Sequence, residues 1–187
     1  MGERPRMSRE RILEGASAIL DSGRYASLTV DALARSLHMS KSTLYKYFSS
    51  KEEVVIALVA DACEEAESEV EKTLAGGTAV EQLTELAHII GRHGQQMPRA
   101  VLTEPERLPV SSGQRLAQTR ELFANAAHLL VQRGTERGEF SHPDPRIVAV
   151  AFVAAAQAVL ADSAKLGLPD YGDKLQLLPG LFLPAIA

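Results

Sequence analysis

One cysteine, Cys63, is all that 187 residues contain. A single thiol excludes an internal disulfide and any multi-cysteine zinc finger. Its neighbours Ala62 and Glu64 supply no cation to stabilise a thiolate, so Cys63 is expected to be an inert structural residue. Long apolar runs are missing too: no uninterrupted stretch reaches the about 18 residues that a membrane crossing needs. The start, MGERPRMSRER, is polar and basic with no apolar stretch behind it, unlike a secretory signal. A soluble, cytoplasmic protein without membrane contact is the expectation. No run alternates with period two, so strands are not expected either. A nucleophile elbow, a phosphate loop and a dinucleotide fingerprint are all absent. Neither a metal, a cofactor nor enzyme activity is expected.

Acidic excess is small, with a formal net charge of -4, but it is unevenly spread. Through Lys51 there are nine Lys/Arg and five Asp/Glu, a net of +4; the remaining eleven and nineteen leave -8. A basic head on an acidic body suits a protein that touches nucleic acid at one end.

The remaining pattern is helical throughout. A first helix is predicted from about Ser8 to Asp21, with Ile12, Ala16, Ile19 and Leu20 inward and Gly23 stopping it. A second follows Thr29 as cap and buries Val30, Leu33, Ala34 and Leu37. A third, Lys41 to Phe48, follows Ser40 and points Leu44 and Phe48 inward. Ser50 and Glu53 form a capping box for a long fourth helix, which Gly76 and Gly77 end. Thr78 with Glu81 opens the next. Pro98, Pro105 and Pro109 then leave a short helical piece between Arg99 and Arg107. Ser111 with Gln114 can box a helix to about Gly134. Asp144 and Pro145 start another through Lys165, and a last segment runs from Asp170 through Pro179 to the apolar LFLPAIA. The fold class is therefore all-α. Residues 1–52 are expected to form a helix-turn-helix domain and residues 53–187 a second helical domain, to which the family resemblance given below assigns effector binding and dimerisation.

Residues 39 to 53, MSKSTLYKYFSSKEE, carry the chemistry. A helix, a short turn and a second helix offering Lys, Ser, Thr and Tyr from its first turns can read DNA in the major groove. Lys41, Ser42, Thr43, Tyr45 and Lys46 are the candidate base readers. Lysine donates to guanine edges, hydroxyls contact bases, and the threonine methyl packs on thymine. Thr29, Ser40, Tyr47 and Lys51 are the candidate phosphate contacts, which set register without reading sequence. Arg4, Arg6, Arg9 and Arg11 could add an arm.

These residues resemble a known family. ILEGASAILDSGRYASLTVDALARSL and MSKSTLYKYFSSKEEVVIAL are similar to the DNA-binding domain of TetR/AcrR-type transcriptional regulators. The resemblance implies that the TLYKYF helix enters the major groove, and that Tyr47 and Lys51 hold the backbone. One position departs from the pattern: His38 stands at a turn often held by Gly, and His tolerates the left-handed backbone better than most residues. RAVLTEPERLP (99 to 109) resembles an E-x-x-R-x-P element of AcrR-like effector domains.

That resemblance implies a homodimer, a palindromic double-stranded DNA operator, and an unknown small-molecule effector that releases a repressor. In the helix from Asp144, Ile147, Ala151, Phe152, Ala155 and Val159 are the candidate dimer surface, with Leu181 and Phe182 beyond it. Polar or aromatic residues on otherwise apolar helices are pocket candidates: His88, His93, Arg120 and Phe123 in the first half. Asn125, His128, Phe152 and Gln157 complete that set. A DNA-binding dimer answering to a protein or to DNA alone is the alternative. A helical-bundle metalloenzyme is a remote one, because Glu85 and His88 form one Glu-x-x-His pair where a di-iron site needs two.

Overall fold

The computed structural model describes residues 9–141, 144–168 and 174–180. Eight α-helices are defined among them: α1 (Arg9–Ser22), α2 (Val30–Ser36), α3 (Lys41–Leu44), α4 (Lys51–Thr73), α5 (Ala79–Gln96), α6 (Arg99–Thr103), α7 (Val110–Glu136) and α8 (Pro145–Leu166). No strand occurs among the described residues. Two compact units arise, Met1–Asp61 with Met97–Gly113, and Ala62–Gln96 with Gln114–Ala187. The fold is all-α, with a helix-turn-helix unit and a second helical unit. The contact division falls inside α4, and it groups the proline-punctuated stretch 97–113 with the N-terminal helices.

The first unit is built on leucine and isoleucine at helical spacing. Ile12, Ala16 and Leu20 of α1, Leu28, Leu33 of α2, Leu44 of α3, and Val54 and Val55 of α4 are essentially closed to solvent. Ile19, Val30 and Leu37, expected inward, are only half-buried. Arg9 is no free arm residue: its guanidinium holds Asp61 with two bonds of 2.7 and 3.1 Å and lies 5.9 Å from the Phe48 ring centre. Arg4 and Arg6 lie outside the described residues.

Stretch 97–113 is tied to this unit by charge. Glu104 is buried and meets Arg24 Nε at 3.3 Å and Arg107 Nε at 3.0 Å. The Arg99 amide donates to Asp21 at 3.3 Å. Thus the Glu and Arg of the E-x-x-R-x-P stretch pair with each other, because a 3-10 turn over Pro105–Arg107 brings them together.

The second unit packs α5, α7 and α8 around Leu83, Leu86, Ile90, Phe123, Leu130, Phe152 and Val153, with Ala66 and Val70 of α4 and Leu175 and Leu178 joining them. Cys63 is buried, and burial pushes its thiol up. Arg115 grips Glu67 with bonds of 2.6 and 2.7 Å, and the Thr119 hydroxyl adds one of 2.8 Å.

Several helix boundaries differ from the sequence expectation. α7 begins at Val110, where Gly113 N–H already donates to the Pro109 carbonyl, so a Ser111 box has no terminus to cap. It also continues through Gly134 to Glu136. Ser50 Oγ does accept from Glu53 N–H at 3.2 Å, but the Glu53 carboxylate reaches Ser49 N–H instead of completing the reciprocal box. Thr78 and Glu81 do form the full box, and Asp144 caps α8 with Pro145 first in the helix. By length and composition α8 could cross a membrane. Gln157 breaks the uninterrupted run that the sequence test required.

Candidate DNA interface

Leu37 ends α2, and His38 follows at φ 52. His38 N–H donates to Arg35 O and Met39 N–H to Ala34 O. This paired closure satisfies the last carbonyls of α2 and reverses the chain through one left-handed residue. The expectation for His38 as the turn residue is met by this geometry.

Ser40 then caps α3: its Oγ accepts from Thr43 N–H at 3.2 Å and lies 2.9 Å from both the Ser42 and Thr43 hydroxyls. The α-helix is shorter than expected, ending at Leu44 instead of Phe48. Lys46 and Tyr47 amides bond three residues back, to Thr43 and Leu44, so the last turn tightens as 3-10 geometry does. Leu44 and Phe48 are both buried, as expected.

The expected readers fall into two groups. Lys41, Ser42, Tyr45 and Lys46 are exposed, with Tyr45 at 51%; Thr43 is half-buried. Yet Ser42 and Thr43 hydroxyls share the Ser40 hydroxyl cluster, and the Lys41 ammonium is paired with the Asp31 carboxylate. That hydrogen bond, and then the charge itself, raises the Lys41 pKa. Asp31 was not singled out from the sequence. The signal was there: it is the sole acid between Thr29 and Lys51.

Of the expected phosphate contacts, Thr29 Oγ1 accepts from Ala32 N–H at 3.0 Å, capping α2 as Ser40 caps α3. A capping hydroxyl accepts with its oxygen and keeps its own hydrogen to donate. Tyr47 is 41% exposed. Lys51 lies 4.9 Å over the Tyr25 ring, a cation–π contact that orders the side chain. Tyr25 is buried and was also missed, since twenty-five residues separate it from Lys51.

In the second unit the pocket candidates differ in burial. Phe123 and Phe152 are core residues. Phe152 therefore cannot also be a dimer surface residue; its ring is 2% exposed. His93 is buried with Nε2 3.1 Å from Glu69 Oε2, and Arg92 bonds the same carboxylate. Burial pushes the Glu69 carboxyl up, but His93 and Arg92 outweigh it and leave the pKa lowered. His88, His128 and Gln157 are half-buried, while Arg120 and Asn125 are exposed. A groove of about 240 Å³ lies instead along α8, lined by Ala158, Val159, Asp162, Ser163, Leu166 and Leu168. Of the dimer candidates, Ile147 is 64% exposed, Ala151 is exposed, and Ala155 and Val159 are half-buried. Leu181 and Phe182 lie outside the described residues.

An all-helical chain whose capped α3 follows a tight left-handed turn defines the helix-turn-helix class. Residues 12–58 match the family of bacterial regulatory proteins called tetR. The HTH-type transcriptional repressor KstR of Mycolicibacterium smegmatis is 31% identical over 103 residues, 54% of this chain and 50% of that protein. The match thus spans about half the length of this curated relative. The TetR family transcriptional regulator PfmR of Thermus thermophilus superposes with a TM-score of 0.79 at 23% identity, over 93% of this chain and 97% of that one. FadR of Bacillus subtilis, solved in complex with stearoyl-CoA, gives 0.76 at 16% identity, over 96% and 100%.

Proposed function

We propose that the chain is a sequence-specific DNA-binding transcriptional regulator, a homodimeric repressor that a small molecule releases from a palindromic operator. The observation that carries this is the turn at His38 followed by the Ser40-capped α3, which leaves Tyr45, Lys46 and Tyr47 exposed beside Lys51. Tyr45 and Lys46 read base edges, with Thr43 offering its methyl. Thr29, Tyr47 and Lys51 hold phosphates. Two copies place their α3 helices about 34–36 Å apart, or a multiple of that spacing, along the duplex.

Dimerisation is supported by α8. Its exposed side carries Ile147, Val150, Ala151, Ala154 and Ala158 at helical spacing, an apolar stripe on a helix whose other side packs the core. The effector reading is supported by the stearoyl-CoA bound to FadR, a structure of the same fold. Release requires that the effector bind the non-binding geometry better; equal affinity for both would shift nothing. The exposure of Arg120 and Asn125 favours a second reading, a dimer without an inducer, which a thermal-shift screen in which no compound binds would support. A regulator of this kind works in the cytoplasm.

The test is Lys51→Ala. It should weaken binding to every duplex and lower the slope of log affinity against log salt by about 0.9 per subunit on the DNA. An unchanged slope would remove Lys51 from the phosphate contacts.

A further inference from the structure

Between Thr29 and Lys51 the chain carries four cations, Arg35, Lys41, Lys46 and Lys51, and one anion, Asp31. That anion sits in the first turn of α2, and Lys41 opens α3. Nine residues of chain separate them, and the turn at His38 folds Lys41 Nζ back onto Asp31 Oδ1. Both side chains are 57% exposed. An ion pair so open to water adds little to stability. Its main consequence is that one of the four cations is neutralised where the chain would meet DNA.

Resting on the proposed DNA-binding function, we propose that Asp31 is a specificity-determining residue: its carboxylate occupies the Lys41 ammonium and so lowers affinity for DNA of arbitrary sequence. Affinity for arbitrary DNA comes almost wholly from phosphates neutralised by cations, each releasing counterions. A phosphate must compete with Asp31 for Lys41, and the carboxylate repels it. A guanine edge offers O6 and N7 without a net charge, so the lysine, with three donors, can bond the base while keeping its partner. Asp31 therefore penalises backbone-only binding more than base-specific binding. Discrimination often rests on such a repulsive element as much as on new attraction. Lys41 is a cation at neutral pH and its pairing raises its pKa further, so deprotonation of the lysine does not undo the pairing.

The experiment measures the full chain by fluorescence anisotropy across a salt series. The probes are a random-sequence duplex and a duplex the chain itself selects from a randomised pool. Asp31→Asn should tighten binding to the random duplex several-fold at low salt and steepen its salt slope by about 0.9 per subunit on the DNA. Binding to the selected duplex should gain less, so the ratio of the two affinities falls. In a Lys41→Gln background the steepening should vanish, because no ammonium is left to free. An unchanged slope, or weaker binding to both duplexes, would overturn the role of Asp31. If the unaltered chain bound neither duplex at any salt, the DNA-binding function would fail and the proposal with it.

Discussion

His38 shows how one backbone angle decides a motif. Its φ of 52 lies in the left-handed region, which costs a residue with a Cβ about 1–2 kcal/mol, and His bears it better than most. His38→Gly should raise the stability of the N-terminal unit in urea unfolding by up to about 1 kcal/mol, and His38→Val should lower it. Equal stability of the two variants would mean that the turn relaxes out of this geometry. Glu67 supplies a residue-scale pH dependence. The Arg115 guanidinium, chiefly through its hydrogen bonds, holds the Glu67 carboxyl below its ordinary value of 4.5, against the opposing effect of burial. A carboxyl depressed in the folded state binds more protons when unfolded, so its stabilisation is complete above the ordinary value and fades as pH falls through the folded one. Glu67→Gln should therefore be less stable than the unaltered chain at pH 7, with the gap closing on acidification below about pH 4.5. A gap independent of pH would point to packing alone.

At the level of elements, helices whose signals are local were legible in advance. Thr29, Ser40, Thr78 and Asp144 each cap the helix predicted for them. The failures came where tertiary contact overrode a local signal. Gly134 looked like a helix end, yet α7 runs through it. A Cβ there would press into the Phe140 ring and approach Ala79 Cβ at 2.9 Å. The glycine permits close approach, and the chain leaves the helix at Gly138 with φ 74. A helix-interior glycine costs about 1 kcal/mol relative to Ala, so propensity alone would make Gly134→Ala stabilising. Overpacking at about 1–3 kcal/mol wins, and the thermal midpoint of the second unit should fall. A rise would show that Phe140 moves aside freely. The proposed recognition residues rest on type and position, and their state was not legible. Spacing cannot reveal that Lys41 is tied to Asp31 or that Lys51 rests on Tyr25, because both partners arrive through the fold.

For the whole molecule, the basic stretch through Lys51 lies within the unit bearing α2 and α3, but the acids of residues 52–61 and 97–113 bring that unit to a net of only +1, and the unit centred on α5, α7 and α8 carries -5. Helix α4 is continuous from Lys51 to Thr73, so the residue proposed to hold phosphate and the carboxylates at Glu67 and Glu69 belong to one element. The surroundings of the pocket candidates were the least legible part. His93 and Glu69 meet only because α4 and α5 pack together, and polar residues spaced along helices did not foretell which would turn inward. The central claim is that two copies of this chain read one inverted repeat through α3. The most direct measurement is selection of bound duplexes from a fully randomised pool by the purified full-length chain, followed by sequencing. The account predicts enrichment of a palindrome whose half-sites are centred one helical turn, about 34–36 Å, or a multiple of it apart. Recovery of a pool without an enriched sequence, or of a single unpaired half-site, would contradict it.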